Sequence, residues 1–327
     1  MNSLRPIIER FKGKRVVVFG DLVADVFVYG EISRISREAP VLILDHRETQ
    51  VVPGGGANAI HNLWALGAKP VPVGIVGDDA EGQKLLEYFS ELGIELSGIR
   101  VAKSYRTPTK MRVLAGAVHS QRQQIVRLDS GGPIQEDRTR NGIEQKLKLA
   151  LHDADALLVS DYGYALVTPQ IVSRVRRNSI PATIDSRFSM MNFSKMTAAT
   201  PNEPEVEAAL GAPIGNDAKK LEWAGRALLR KLKHDAVLIT RGKDGMALFE
   251  RGKKTIHIPI YGSDEVADVT GAGDTVIATF TLALAAGAGY YDAARLANYA
   301  GGIVVMKYGT RPVTYEELLA AVEDNKE

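Results

Sequence analysis

The sequence predicts an α/β fold with a mostly parallel sheet, because short apolar runs alternate along the chain with stretches of helical periodicity. Each run is rich in β-branched residues and has the length of a buried strand. The strands are expected at residues 15–19, 71–76, 156–160, 182–185 and 236–240. The helices are expected at residues 58–66, 80–92, 139–151, 218–232 and 276–285. Ligands of such sheets bind beyond the carboxyl ends of the strands.

Two longer segments, residues 26–52 and 107–129, alternate apolar and polar positions without helical periodicity. This pattern is typical of antiparallel strands with one buried face. We expect a small sheet that covers the site and serves as a lid, a dimer interface or both. Both segments are interleaved with the main fold and no flexible linker separates them, so we expect one domain over residues 1–327.

Composition excludes several classes of function. Lys and Arg number 41 and Asp and Glu number 39, so a net charge of +2 gives no electrostatic reason to expect nucleic acid or a membrane as a partner. The absence of cysteine excludes disulfides, thiolate chemistry and cysteine-ligated zinc. No secretory leader is recognised, and the apolar stretch 276–288 is shorter than the roughly 20 residues of a membrane span. We therefore expect a cytoplasmic protein.

The strongest chemical signal is DVTGAGDT, residues 268–275, which precedes an apolar helix. Main-chain N–H groups of Gly271, Ala272 and Gly273 would converge at the helix N-terminus and form a pocket for negative charge. Asp274 could accept a proton from a substrate hydroxyl, as phosphoryl transfer to an alcohol requires. The alternative is an aspartate that caps the helix after a glycine turn.

A second signal is PGGGAN, residues 53–58. Gly54 and Gly55 would let the backbone approach a ligand closely. Asn58 either caps the following helix or binds sugar hydroxyls through its amide. Asp21 and Asp25 follow the first strand, and together with Asn58 they indicate a site for vicinal hydroxyls; the alternative is a plain glycine turn.

These two motifs and TPNEPE, residues 200–205, together resemble the ribokinase-like (PfkB) sugar kinases over nearly the whole chain. The resemblance implies a three-layer αβα sandwich with a β-sheet lid, ATP as phosphoryl donor and Mg²⁺. It implies that Asp274 is the catalytic base and that residues 271–273 form the anion hole. Asn202 and Glu205 would organise Mg²⁺ and phosphate through water; alternatively they are a loop amide and a surface carboxylate. It also leaves open a monovalent cation such as K⁺. The nucleotide contacts that it implies are Asn202, Thr240, Gly242, Gly245, Asp268 and Asn298.

A narrower resemblance is to the D-glycero-D-manno-heptose 7-phosphate kinases, carried by GEISRISREAP at residues 30–40 and SDYG at residues 160–163. A substrate that already carries a phosphate needs cations, and Lys110, Arg112 and Arg127 match that branch. Lys110 and Arg112 are two residues apart and so would face the same side of a strand. The chain departs from the branch where Tyr164-Ala165 replaces Lys-Gly, Arg37 replaces proline and Ser186-Arg187 replaces Pro-Lys.

The expected reaction is therefore phosphorylation of heptose 7-phosphate to the 1,7-bisphosphate, the kinase step alone, by a homodimer that associates through the lid. Kinases of other sugars, such as fructose, ribose or a different phosphosugar, stay open. So does a non-catalytic sugar- or nucleotide-binding regulator on the same fold. An NAD-dependent dehydrogenase and a P-loop ATPase lack support, because neither GxGxxG after the first strand nor GxxxxGK[ST] occurs.

Overall fold

The computed structural model describes residues 4–116, 123–262, 268–307 and 309–324, so residues 117–122 of the predicted lid segment lie outside the described part. The strands are β1 (Arg15–Gly20), β2 (Leu22–Ile35), β3 (Leu42–Gly55), β4 (Lys69–Gly77), β5 (Ile99–Ala102), β6 (Thr109–Gly116), β7 (Gln123–Ser130), β8 (Ala156–Asp161), β9 (Ala182–Ser186), β10 (Ala198–Ala199), β11 (Ala236–Thr240), β12 (Met246–Glu250) and β13 (Ile256–Ile258). The helices are α1 (Arg5–Glu9), α2 (Gly56–Ala65), α3 (Ala80–Glu91), α4 (Ile143–Ala150), α5 (Pro169–Val175), α6 (Glu203–Leu210), α7 (Ala218–Leu232), α8 (Ala272–Ala285), α9 (Tyr290–Val305) and α10 (Tyr315–Asp324).

The larger sheet has the order β13-β12-β11-β10-β9-β8-β1-β4-β5. Its neighbours pair in parallel from β5 to β11, and only β12 and β13 are added antiparallel. The chain goes from β1 to β4 on one side and later to β8 on the other. This change of direction opens a crevice at the carboxyl ends of β1 and β8, where ligands of such sheets bind.

Helices cover both faces of this sheet. Side chains alternate along β1, so that Val16 and Val18 join one core while Val17 and Phe19 join the other. The first core also contains side chains of α2, α8 and α9, and the second contains side chains of α4, α5 and α7. The predicted three-layer αβα arrangement is therefore confirmed. No helix within the described ranges is long and apolar enough to cross a membrane.

One predicted helix has wrong boundaries. Residues 139–151 were expected to form one helix, but a 3₁₀ turn at Asp137–Arg140 comes first and α4 begins only at Ile143. Gly142, with φ of 81°, lies between them in the left-handed region, which a continuous α-helix cannot include.

The smaller sheet has the order β3-β2-β6-β7. Strands β2 and β3 pair antiparallel, as do β6 and β7, which the alternating pattern predicted. The central pair, β2 and β6, is parallel, so the expectation of a purely antiparallel lid is wrong. Between these strands the chain passes through β4, α3 and β5 of the main layer, and it therefore re-enters the lid in its original direction.

Ala165 has a φ of 63°, in the left-handed region that side chains with a Cβ disfavour. Because the left-handed conformation costs an L residue about 1–2 kcal/mol, we expect Ala165→Gly to raise the free energy of unfolding by about 1 kcal/mol in urea titrations. Ala39→Gly, in an exposed segment without positive φ, should give no gain. A loss of stability in Ala165→Gly would contradict the inference that the backbone of Ala165 is strained.

Candidate active site

Asp274 lies in the first turn of α8, whose N-cap is Gly271 with a φ of 79° and no side-chain capping bond. The residue is 3% exposed, and its carboxylate receives two hydrogen bonds. The Tyr162 hydroxyl donates to Oδ1 at 2.7 Å, and the Asn58 amide donates to Oδ2 at 3.0 Å. The alternative that Asp274 caps the helix is therefore wrong. Its carboxylate lines a cavity that Gly271 and Gly273 also line.

The surroundings raise the pKa of Asp274 to about 6. Burial is the largest cause, because a buried carboxylate loses hydration. The hydrogen bonds from Asn58 and Tyr162 oppose the increase, and the nearby charge of Asp25 adds to it. A carboxylate with such a pKa is ionised at neutral pH but holds a proton more readily than a solvated one, which suits a general base.

Asn58 is inside α2 and does not cap it, because the N-cap is Gly55. Its amide nitrogen also contacts the carbonyl of Gly271, at 3.3 Å, and its oxygen accepts from Asn62, at 3.1 Å. Asn62 in turn accepts from Thr275 at 3.0 Å. This buried network ties the N-terminal turns of α2 and α8 together around Asp274.

Glycine is needed at positions 54 and 55 because the backbone there lies close to other side chains of the site. A Cβ on Gly54 would lie 2.6 Å from a carboxylate oxygen of Asp25. Gly55 has a φ of 55°, and its Cβ would lie 3.2 Å from the Tyr162 ring. Any larger residue would therefore displace the side chains of the site itself.

The two early aspartates have different surroundings. Asp21 is buried, accepts hydrogen bonds from the backbone of Tyr162 at 2.8 Å and Tyr164 at 3.2 Å, and has a pKa raised to about 7 by burial. Its Oδ1 has no hydrogen-bond partner within the described chain. Asp25 lies on β2 and forms a buried ion pair with Arg112 at 2.7 Å.

The lid brings the three predicted cations to the side of Asp25. Asp25 pairs with Lys110, and Arg112 pairs with Arg127, in the register of the lid strands. The Lys110 ammonium lies 4.7 Å from the centre of the Tyr162 ring. Arg112 is occupied by Asp25, and Arg127 forms an exposed bidentate pair with Asp129 at 2.8 and 3.0 Å.

A larger cavity of about 530 Å³ lies at the other side of the α8 N-terminus. Of the predicted nucleotide contacts, five line it: Asn202, Thr240, Gly242, Gly245 and Asn298. Much of its wall is apolar, and its volume suits a nucleotide. Asp268 is absent from this wall; its carboxylate accepts from the backbone of Thr270 at 2.8 Å and Gly309 at 3.2 Å, so it holds a loop.

Asn202 and Glu205 form a reciprocal capping box at the start of α6. Each side chain accepts a hydrogen bond from the backbone of the other, at 2.9 and 3.0 Å. Both also line the smaller cavity next to Asp274, which has a volume of about 240 Å³. They are thus neither a free loop amide nor a plain surface carboxylate.

Five residues of the smaller cavity had no role predicted from the sequence: Asp161, Tyr162, Asp185, Arg187 and Thr200. The first four lie at the carboxyl ends of β8 and β9, and Thr200 follows β10. The signal that could have found the first four was present in the SDYG and Asp-Ser-Arg segments. Burial and the nearby charge of Glu205 raise the pKa of Asp185 well above its ordinary value.

A divalent cation would relieve this accumulation of negative charge. No group of three or more metal-binding side chains is placed as a ready-made cage in the described ranges. Mg²⁺ does not need one, because it keeps several waters and takes one or two carboxylates together with substrate phosphates. Asp185 and Glu205 therefore fit Mg²⁺ as oxygen ligands or as acceptors for its water.

Tyr162 offers a test of the pKa of Asp274. Removing its hydroxyl in Tyr162→Phe takes away a hydrogen bond that lowers this pKa, so the pKa should rise. If Asp274 is the base, the acidic limb of kcat/KM, expected near pH 6 in the wild type, should move to higher pH. Tyr291→Phe, on exposed α9 surface, should leave the profile unchanged. If the acidic limb of Tyr162→Phe stayed in place or moved to lower pH, the conclusion that the Tyr162 hydrogen bond lowers the pKa of the catalytic base would be wrong.

The chain is similar to known carbohydrate kinases over most of its length. The profile described as pfkB family carbohydrate kinase matches residues 14–317. The bifunctional protein HldE of Geobacter sulfurreducens is 40% identical over 313 residues, 94% of this chain and 62% of that protein. HldE of Coxiella burnetii is 37% identical over 318 residues, 96% of this chain and 65% of that protein. The chain thus spans less than two thirds of the length of these relatives.

Solved structures agree on the fold. Arabidopsis thaliana ribokinase, complexed with ribose and ATP, has a TM-score of 0.72 at 23% identity and covers 95% of this chain and 99% of its own. Escherichia coli phosphofructokinase-2, in complex with fructose-6-phosphate, has a TM-score of 0.78 at 15% identity and covers 96% and 100%. At such identities these likenesses show the architecture alone.

Proposed function

The chain belongs to the pfkB family of carbohydrate kinases, and from this premise we propose that it transfers the γ-phosphoryl group of ATP to a hydroxyl of a phosphosugar. The observation that carries the proposal is the position of Asp274. Its buried carboxylate lies at the N-terminus of α8, between a nucleotide-sized cavity and the lid cations. A base, an anion-stabilising helix end and two adjoining cavities are the parts that this reaction requires.

In the proposed reaction, the acceptor hydroxyl oxygen forms a bond to the γ-phosphorus while the bond from that phosphorus to the bridging oxygen breaks. Asp274 takes the hydroxyl proton, and ADP leaves. The backbone N–H groups at Gly271 and Gly273 would stabilise the negative charge of the transferring group, whereas the predicted third donor, the N–H of Ala272, donates to the carbonyl of Val269 at 3.2 Å. Mg²⁺ bound near Asp185 and Glu205 would supply positive charge to the phosphates. The lid excludes water, which would otherwise compete as acceptor.

The acceptor that we favour is D-glycero-D-manno-heptose 7-phosphate, phosphorylated at O1 to the 1,7-bisphosphate. The HldE relatives and the resemblance to heptose 7-phosphate kinases support it. Lys110 would meet the phosphate, and so would Arg127 on leaving its exposed pair with Asp129, while Asp21, Asp25 and the Asn58 amide would bind hydroxyls. Arg112 would contribute charge while it stays paired with Asp25.

Tyr164, Ala165 and Arg187 depart from that branch, which favours as second candidate a kinase of a related phosphosugar. The test is ADP release over a panel that contains heptose 7-phosphate, fructose 6-phosphate, fructose and ribose, with the product identified by NMR. Heptose 7-phosphate should give the highest kcat/KM. Equal turnover of fructose or ribose would overturn the phosphosugar assignment, and ATP binding without turnover of any sugar would favour the non-catalytic regulator.

We also propose that two copies associate through the lid. Exposed apolar side chains lie along β7 and at the far ends of β2 and β3: Ile32, Leu42, Ile125, Val126 and Leu128. Such a surface is costly to leave in water. Sedimentation should show a dimer that Leu128→Glu dissociates; a monomeric wild type would contradict the proposal.

A further inference from the structure

Arg187 is the only positively charged side chain among the described residues that line the smaller cavity. The other charged groups there are four carboxylates, Asp161, Asp185, Glu205 and Asp274. A cavity that binds a phosphoryl group needs positive charge directed at it, and its own acidic wall would otherwise repel that group. The position of Arg187 therefore decides whether this cavity can bind a phosphoryl group.

The Arg187 guanidinium has no ion pair or side-chain hydrogen bond within the ranges that the structure describes, although carboxylates surround it. It lies 5.4 Å from the centre of the Phe188 ring, and both side chains are exposed. Its charge acts on both the cavity and the lid, because it lowers the pKa of Glu205, which lines the smaller cavity, and of Lys110 on the lid. The N–H donors of Arg187 are therefore available to a ligand that enters the smaller cavity.

The backbone that carries Arg187 is held firmly. Its N–H donates to the carbonyl of Asp161 at 3.0 Å. The preceding Ser186 hydroxyl donates to the Asp161 carboxylate at 2.7 Å, and Ser189 donates to the same oxygen. The first residue beyond β9 is thus tied to the end of β8, which fixes the backbone position from which the Arg187 side chain extends.

Planar guanidinium donors match phosphoryl oxygens, whose negative charge must be stabilised as the phosphoryl group moves between two oxygens. The lid cations do not line this cavity, and Arg112 is occupied by Asp25. Resting on the proposed kinase reaction, we infer that Arg187 binds the equatorial oxygens of the transferring phosphoryl group in the smaller cavity and acts as a catalytic residue. It is thereby distinct from the lid cations, which would hold the phosphate that the acceptor already carries.

Steady-state kinetics separate these two roles. In Arg187→Met, kcat should fall by about 10²–10³-fold, as for removal of a donor to a transition-state oxyanion, while KM for the acceptor changes little. Arg187→Lys should recover part of the loss, since it restores charge without the planar fork. Arg230→Met, an exposed arginine on α7, is the matched control and should behave as wild type. A large rise in the acceptor KM with kcat retained would assign Arg187 to the acceptor's own phosphate and overturn the inference.

A binding measurement tests Arg187 without any acceptor. Calorimetry of ADP with Mg²⁺ and aluminium fluoride, a planar mimic of the transferring group, should show tighter binding than ADP with Mg²⁺ alone. Arg187→Met should keep the ADP affinity and lose about tenfold or more of the gain, the scale of one charge-assisted contact. An equal gain in wild type and variant, including no gain in either, would overturn the inference. If no sugar is phosphorylated but the gain depends on Arg187, the proposed substrate fails and the phosphoryl-binding role stands.

Discussion

Replacing Asp274 by asparagine should lower kcat by about 10²–10⁴-fold, because the amide cannot accept the hydroxyl proton. The substitution preserves the shape of the side chain, and its single amide oxygen can accept from one of the two present donors, Tyr162 or Asn58. KM for ATP should change little, since the nucleotide cavity keeps its wall. ADP release under saturating ATP measures the effect, and circular dichroism checks the fold.

Asp292→Asn is the matched control, since Asp292 also lies in the first turn of a helix but contacts Arg295 away from both cavities. It should retain wild-type turnover. Near-wild-type activity of Asp274→Asn would remove the base from the mechanism and with it the main support for the proposed reaction.

Asp274→Asn should also change stability in a pH-dependent way. A carboxyl whose pKa is raised on folding from 3.8 to about 6 binds more protons in the folded state, so it costs stability as pH rises between those values. Asparagine lacks this cost. The variant should therefore gain free energy of unfolding relative to wild type as pH increases from about 4 to about 7.

Arg112→Ala should lower the free energy of unfolding by about 3–5 kcal/mol near neutral pH, because it leaves Asp25 as a buried charge without its partner. The two side chains are only 10% and 6% exposed, so water cannot replace the lost contact. Urea unfolding measures the change. Arg127→Ala is the control, since it breaks an exposed pair with Asp129 and should cost about 1 kcal/mol or less.

The cost of Arg112→Ala should shrink as pH falls. Burial already raises the pKa of Asp25, and Arg112 opposes this. Without Arg112 the pKa rises further, so Asp25 takes a proton at acidic pH and the buried charge disappears. A cost that is small at neutral pH, or equal to that of Arg127→Ala, would show that the ion pair does not stabilise the lid.

Much of the site could be predicted from sequence because its main parts are local. DVTGAGDT places a carboxylate three residues after the glycine that caps α8, and helix geometry then fixes their relation. PGGGAN works in the same way at α2. The alternation of apolar runs likewise determined the layers of the fold, since a strand buried on both faces must be apolar throughout.

The residues that surround Asp274 required the tertiary structure. Asn58 and Tyr162 reach it across 216 and 112 residues of chain, and no local pattern encodes such pairs. Arg112 carries the same charge as Lys110, yet only the fold shows that Asp25 occupies it. The parallel pairing of β2 and β6 likewise follows from the path of the chain between them.

Sequence alone therefore determined the family, the layers and the candidate base, because each depends on residues that are close along the chain. The tertiary structure decided which charges are already neutralised and which remain available, as Arg187 does beside four carboxylates. The physical reason is that electrostatic interaction depends on distance in space and on burial, and both arise only when separate strand ends meet at one edge of the sheet.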